Sequence, residues 1–128
     1  MLFTVEEMND NVGKEGPVRA TMRLYSKTSF SRGVHLNLID ACPETEFQAV
    51  VATMGTLSYA SRQKFIFRAA IWSGNIDDAR FTVGNLLQLR CVAKVAVWNN
   101  ILCGSCHCED VHVLAENQLA ELGAQRNP

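Results

Sequence analysis

The chain has 128 residues, 48% of them hydrophobic and 20% charged, with a formal net charge of −1. That length can bury a core without metal or disulfide staples, and the balance excludes a disordered chain. The near-neutral charge leaves no overall field to gather nucleic acid, so any basic surface must be built by local arrangement.

The opening MLFTVEEMND carries acids where an export signal needs a basic segment followed by an apolar run. No stretch of about 18 uncharged apolar residues occurs, so no membrane span is expected. Five cysteines is an odd number, which disfavours a secreted disulfide framework and favours an intracellular, reducing location, cytoplasmic or nuclear.

Thr4 and Glu7 fit a capping box, with Val5, Met8 and Val12 at helical spacing and Gly13 as a stop, so a short helix opens the chain. From Val18 the period becomes two. Val18, Ala20, Met22 and Leu24 share one face of a strand, and Arg19, Thr21, Arg23 and Tyr25 the other. After the turn-rich TSFSRG, a second strand alternates Val34, Leu36 and Leu38 with His35, Asn37 and Ile39. EFQAVVATM is apolar at nearly every position and suggests a third strand buried on both faces.

The segment SYASRQKFIFRAAIWSG is ambiguous. Its apolar residues recur at helical spacing behind a cap at Ser58 or Ser61, and its length and paired alanines favour a helix. KFIFRAAIW is also aromatic and branched enough for a strand. LLQLRCVAKVAVW alternates throughout, with Leu87, Leu89, Cys91, Ala93, Val95 and Val97 inward. NNILCGSCHCE is expected to be its exit loop, VHVLA a short last strand and ENQLAELG a closing helix, with AQRNP a frayed tail.

RATMRLYSKTSFSRGVHLNLIDA, then EFQAVVATMG, then FTVGNLLQLRCVAKVAVWNN followed by EDVHVLA resembles the OB fold, and the closing half is similar to replication-protein-A-like single-stranded nucleic-acid-binding domains. The resemblance implies a mainly β, α+β chain: a small OB-like β-barrel with flanking helices in one domain. Residues 1–16 would form an N-terminal helix and connector, 17–114 the barrel and 115–128 a C-terminal helix and tail. The insert from Thr56 to Val83 is longer than the family usually carries between its third and fourth strands. If KFIFRAAIW is a strand, a six-stranded barrel or sandwich is the alternative.

The resemblance also implies a sheet face where cations follow phosphates and rings stack on bases. The polar phases then nominate Arg19, Arg23, Tyr25, Lys27, His35, Arg90, Lys94 and Trp98, with Arg23, Arg90 and Lys94 as the main phosphate contacts. The expected ligand is single-stranded DNA or RNA, held by a subunit of a larger complex. A helix carrying Phe65, Phe67, Ile71 and Trp72 would be apolar all round, which favours a protein partner or self-association. The alternative function is therefore a protein-binding adaptor or small inhibitor with no nucleic-acid contact.

Cys103, Cys106 and Cys108 with His112 offer a weak alternative zinc set, although the second pair lies too close for a usual knuckle. The favoured reading is an exposed loop with no metal and no cofactor, in which all three thiols are reactive and Cys91 alone is protected. His35 and Cys42 are too far apart along a straight strand to form a nucleophile pair, and no phosphate loop or metalloprotease helix occurs, so no catalytic residue and no enzyme is expected.

Overall fold

The computed structural model describes residues 1–92 and 94–126. Ala93, expected to point inward, and the end of the tail, Asn127 and Pro128, lie outside the described residues. The opening helix α1 spans Val5–Asp10, and Thr4 caps it by accepting the Glu7 N–H at 3.1 Å. Strand β1 (Val18–Phe30) follows, then β2 (Gly33–Ile39), helix α2 (Glu44–Gly55), helix α3 (Tyr59–Gln63), β3 (Phe67–Trp72) and a 3-10 turn at Ala79–Phe81. The chain continues through β4 (Leu86–Cys91), β5 (Ala96–Trp98), β6 (Ile101–Val113) and helix α4 (Glu116–Arg126).

Five strands form a ring. β1 pairs antiparallel with β2 and β4, β2 pairs antiparallel with β3, and β6 joins β3 in parallel to β4 in antiparallel. Thirteen-residue β1 serves two neighbours by using its first half against β4 and its second half against β2. A register shift between Leu24 and Ser26 marks the bend. β5 hangs on β6 as a hairpin, closed by Asn99 and Asn100 with φ of 51° and 62°. Two left-handed residues make the tight turn that matches strand twist, and asparagine tolerates that backbone well. The architecture is mainly β and OB-like, with helices flanking the ring.

The alternating residues fill the ring. Met22, Leu24, Val34, Leu36, Leu38, Phe67, Ile71, Leu87, Leu89 and Cys91 are buried in one cluster. A second cluster of Ile39, Phe47, Met54 and Ile66 packs α2 onto one end of the ring.

LLQLRCVAKVAVW is not one strand but two, β4 and β5, and Val97, expected inward, is exposed. Three further segments differ from expectation. EFQAVVATM is helix α2, not a strand. Pro43 stands at its N-cap, Glu44 and Glu46 occupy its first turn, and Phe47, Val50, Val51 and Met54 form one face. KFIFRAAIW contains strand β3, not a helix. Phe67, Ala69 and Ile71 alternate inward, and only Tyr59–Gln63 is helical, capped by Ser58. The paired alanines that suggested a helix are one inward and one outward strand position. Third, residues 101–113 form one long strand rather than a loop and a short strand.

No helix among the described residues is long and apolar enough to cross a membrane.

Candidate nucleic-acid interface

β2, β3, β6 and β5 lie side by side, and their outer face carries a shallow groove of about 230 Å³. Its floor is small: Ala70 from β3, Gly104 and Ser105 from β6, and Ala96 from β5. Its walls carry the chemistry. His35 stands on β2, Arg68 on β3, Trp98 on β5, and Lys94 just before β5. Among the described residues no carboxylate lines it.

Register explains the gathering. Asn37 pairs with Arg68, Arg68 with Cys103, and Cys103 with Ala96, so one outward row crosses four strands. Asn37 accepts the Arg68 Nε–H at 3.1 Å and donates to Ser26 Oγ at 2.9 Å. That chain engages the guanidinium through Nε, and the two Nη groups supply further donors suited to phosphate. Partial burial and, second to it, the Arg68 charge lower the His35 pKa, which favours the neutral imidazole.

Aromatic surface stands at both ends of the groove. His35 stacks on Phe30 with centroids 4.4 Å apart and planes at 21°, and Trp72 meets Phe30 edge-on at 5.3 Å. At the other end the Trp98 ring is 70% exposed on the β5 hairpin. Lys94 forms a 2.8 Å ion pair with Glu15, but both side chains are largely solvated, so a phosphate can compete for the ammonium at small cost.

Of the nominated contacts, His35, Lys94 and Trp98 come together here. The others do not. Arg23 is a correction: its side chain is 1% exposed, and its guanidinium donates to Cys42 O, Gly84 O and both Glu116 oxygens. It holds the fold and cannot reach a ligand. Arg19 and Arg90 are exposed register partners on β1 and β4, and neither lines the groove. Tyr25 packs against the cluster under α2, and Lys27 Nζ donates to Ile76 O at 2.7 Å. Arg68 joins His35, Lys94 and Trp98 in the lining, and Phe30 and, through it, Trp72 adjoin His35 beside the groove. Arg68 was overlooked because its segment was read as helical, although the alternation of Phe67, Ala69 and Ile71 marks it as outward.

The nominated protein contacts divide as well. Phe67 and Ile71 are fully buried in the ring and cannot meet a partner, because strand alternation turns them inward. Trp72 belongs to the aromatic cluster. Phe65, 53% exposed, borders an apolar groove of about 580 Å³ with Ile39, Val50, Met54 and Leu57.

The zinc set is taken apart by the strand. Cys106 is fully buried inside the ring while Cys103 lines the outer groove. Cys108 accepts from Arg80 Nη2 at 2.9 Å, and His112 pairs with Gln88 on β4. Alternation sends Cys103 outward and Cys106 inward, and among the described residues no three His, Cys, Asp or Glu side chains gather as metal ligands. The expected reactivity of Cys106 is overturned by the same burial.

No protein-family model, curated protein or solved structure matches this chain.

Proposed function

We propose that the chain is a single-stranded nucleic-acid-binding module, resembling replication-protein-A-like OB domains and working as a subunit of a larger complex. One observation carries this reading: a groove across four strands has two cationic side chains, Arg68 and Lys94, no carboxylate among its described lining residues, and aromatic rings toward both ends. A single strand laid across β2, β3, β6 and β5 would stack bases on Trp98 and on the Phe30–His35–Trp72 cluster. Its phosphates would meet the Arg68 guanidinium and the Lys94 ammonium. Duplex DNA has no such exposed base faces. The small floor of Ala70, Ala96, Gly104 and Ser105 offers stacking room and one hydroxyl, that of Ser105, to meet a base edge, which suits binding with limited sequence preference. Cationic, aromatic and small side chains dominate the lining, which favours a binding module over an enzyme.

Fluorescence polarisation with labelled homopolymer oligonucleotides across a salt series tests it. With Arg68 and Lys94 as the two phosphate contacts, the expected log–log salt slope is about −1.4 for a single strand. Absence of binding at low salt would refute it.

The apolar groove beside Phe65 favours the second reading, a protein-binding adaptor. A chain that ignores oligonucleotides but loses partner binding on Phe65→Ser would support it.

A further inference from the structure

Two thiols outside the groove meet inside the ring. Cys91 is the last residue of β4, Cys106 lies midway along β6, and the two are register partners. Both are fully buried, and the Cys106 thiol donates to Cys91 Sγ at 3.7 Å. The pairing type decides whether they can be bridged. The Val92 N–H, one residue after Cys91, donates at 2.8 Å to the oxygen of Ser105, one residue before Cys106. Cys91 and Cys106 are therefore a non-hydrogen-bonded pair, in which Cα atoms approach to about 4.5 Å and the side chains face each other. That separation falls in the range disulfides span. Gly104 makes the room: a Cβ there would lie 3.0 Å from Cys91 Sγ and 3.0 Å from Phe67 Cζ.

We propose that Cys91 and Cys106 form a redox-convertible pair, which a low-molecular-weight disulfide such as oxidised glutathione turns into a bridge between β4 and β6. Cys91 gives up its proton to solvent, and its sulfur attacks one sulfur of the oxidised glutathione. The glutathione S–S bond breaks, and one glutathione leaves as thiolate and is protonated. Cys106 then loses its proton and attacks the Cys91 sulfur of the mixed disulfide, releasing the second glutathione. Two protein thiols are oxidised by two electrons, and one small disulfide is reduced to two thiols. The hydrogen bond from Cys106 lowers the Cys91 pKa, which favours Cys91 as the attacking sulfur.

Access requires only local opening. β4 ends at Cys91, Val92 is exposed, and the β4–β6 ladder is irregular between Leu89 and Cys91. The other three thiols have no such neighbour. Cys103 faces the outer groove, Cys108 sits against Arg80, and Cys42 lies beside Arg23 at another end of the ring. The bridge closes the segment carrying Lys94, β5 and Trp98, so oxidation raises Tm by constraining the unfolded chain.

The test is to incubate the full chain with oxidised glutathione, alkylate the remaining thiols and measure intact mass and Tm. The expected product is monomeric, carries no glutathione and keeps three of its five thiols. Its digest contains a linked Cys91–Cys106 peptide, and its Tm is about 5–10 °C higher until dithiothreitol is added. A triple variant, Cys42→Ser, Cys103→Ser and Cys108→Ser, should convert in the same way, because the bridge needs only Cys91 and Cys106. A chain that retains all its thiols, stops at a glutathione adduct, or links any other pair would overturn the proposal.

Discussion

Arg23 of β1 and Glu116 at the start of α4 form a two-pronged ion pair, Nη1 to Oε1 at 2.5 Å and Nη2 to Oε2 at 2.9 Å. The same guanidinium donates to the carbonyls of Cys42 and Gly84, so one buried cation ties β1, the segment before α2, the segment before β4 and the C-terminal helix together. Deleting the carboxylate leaves that charge buried with only neutral acceptors. Glu116→Ala is expected to cost about 1–3 kcal/mol, less than a fully buried pair because the Glu116 side chain is 38% exposed. Chemical denaturation measures the loss, and oligonucleotide affinity should not change.

The exposed ring and the Arg68 guanidinium define the next test. Trp98→Ala removes one stacking platform and is expected to weaken oligonucleotide binding by roughly 1–3 kcal/mol, with little change in Tm because the side chain is 70% exposed. Arg68→Ala should weaken binding and make the salt slope shallower by about 0.7. Polarisation titrations beside thermal melts separate the two effects.

How far these residues could be found from the sequence depended on how local their causes are. The alternation in Val18–Leu24, Val34–Leu38 and Leu87–Cys91 is a local signal, and it identified the inward residues of three strands directly. The helix cap at Thr4 is equally local. Arg23 sits on the outward phase of β1, and its burial comes from Glu116, which lies 93 positions away. No pattern within the strand carries that information. EFQAVVATM misled because an apolar run satisfies a buried strand and a helix alike, and only Pro43 and the acidic first turn distinguish them. The cysteine-rich segment misled through its composition: Gly104 and Ser105 suggest exposed backbone, whereas Gly104 is there to admit Cys91 and Phe67.

Gly33 opens β2 opposite Trp72, where a Cβ would lie 2.0 Å from Ile71 O. The obstacle is backbone, so no side-chain rotation relieves it. Gly33→Ala is expected to cost about 2–4 kcal/mol and to disturb the Phe30–Trp72 contact nearby. Denaturant midpoints and tryptophan emission report the two effects.

Arg80 holds an outward excursion of β6. It donates to Cys108 O at 2.8 Å and to Val111 O at 3.0 Å, and Asp78 orients it at 2.8 Å. The hydrogen bonds from Arg80 hold the Asp78 carboxyl at a pKa of about 2, below its ordinary 3.8. A lowered carboxylate pKa stabilises the fold above about pH 4, and that contribution is lost as pH falls toward 2. Asp78→Asn should therefore cost about 0.5–1 kcal/mol at pH 7 and flatten the acid limb of the Tm profile between pH 4 and 2. An unchanged acid limb would contradict this account of Arg80.

Photocrosslinking of the intact chain to a short single-stranded oligonucleotide, followed by peptide mass spectrometry, tests the groove most directly. The crosslinks are expected on Trp98 and within the Phe30–His35–Trp72 cluster, and they should fade as salt or unlabelled single strand is added. Crosslinks confined to the Arg19–Arg90 face, or no complex at low salt, would contradict the assignment of this groove as a single-strand site.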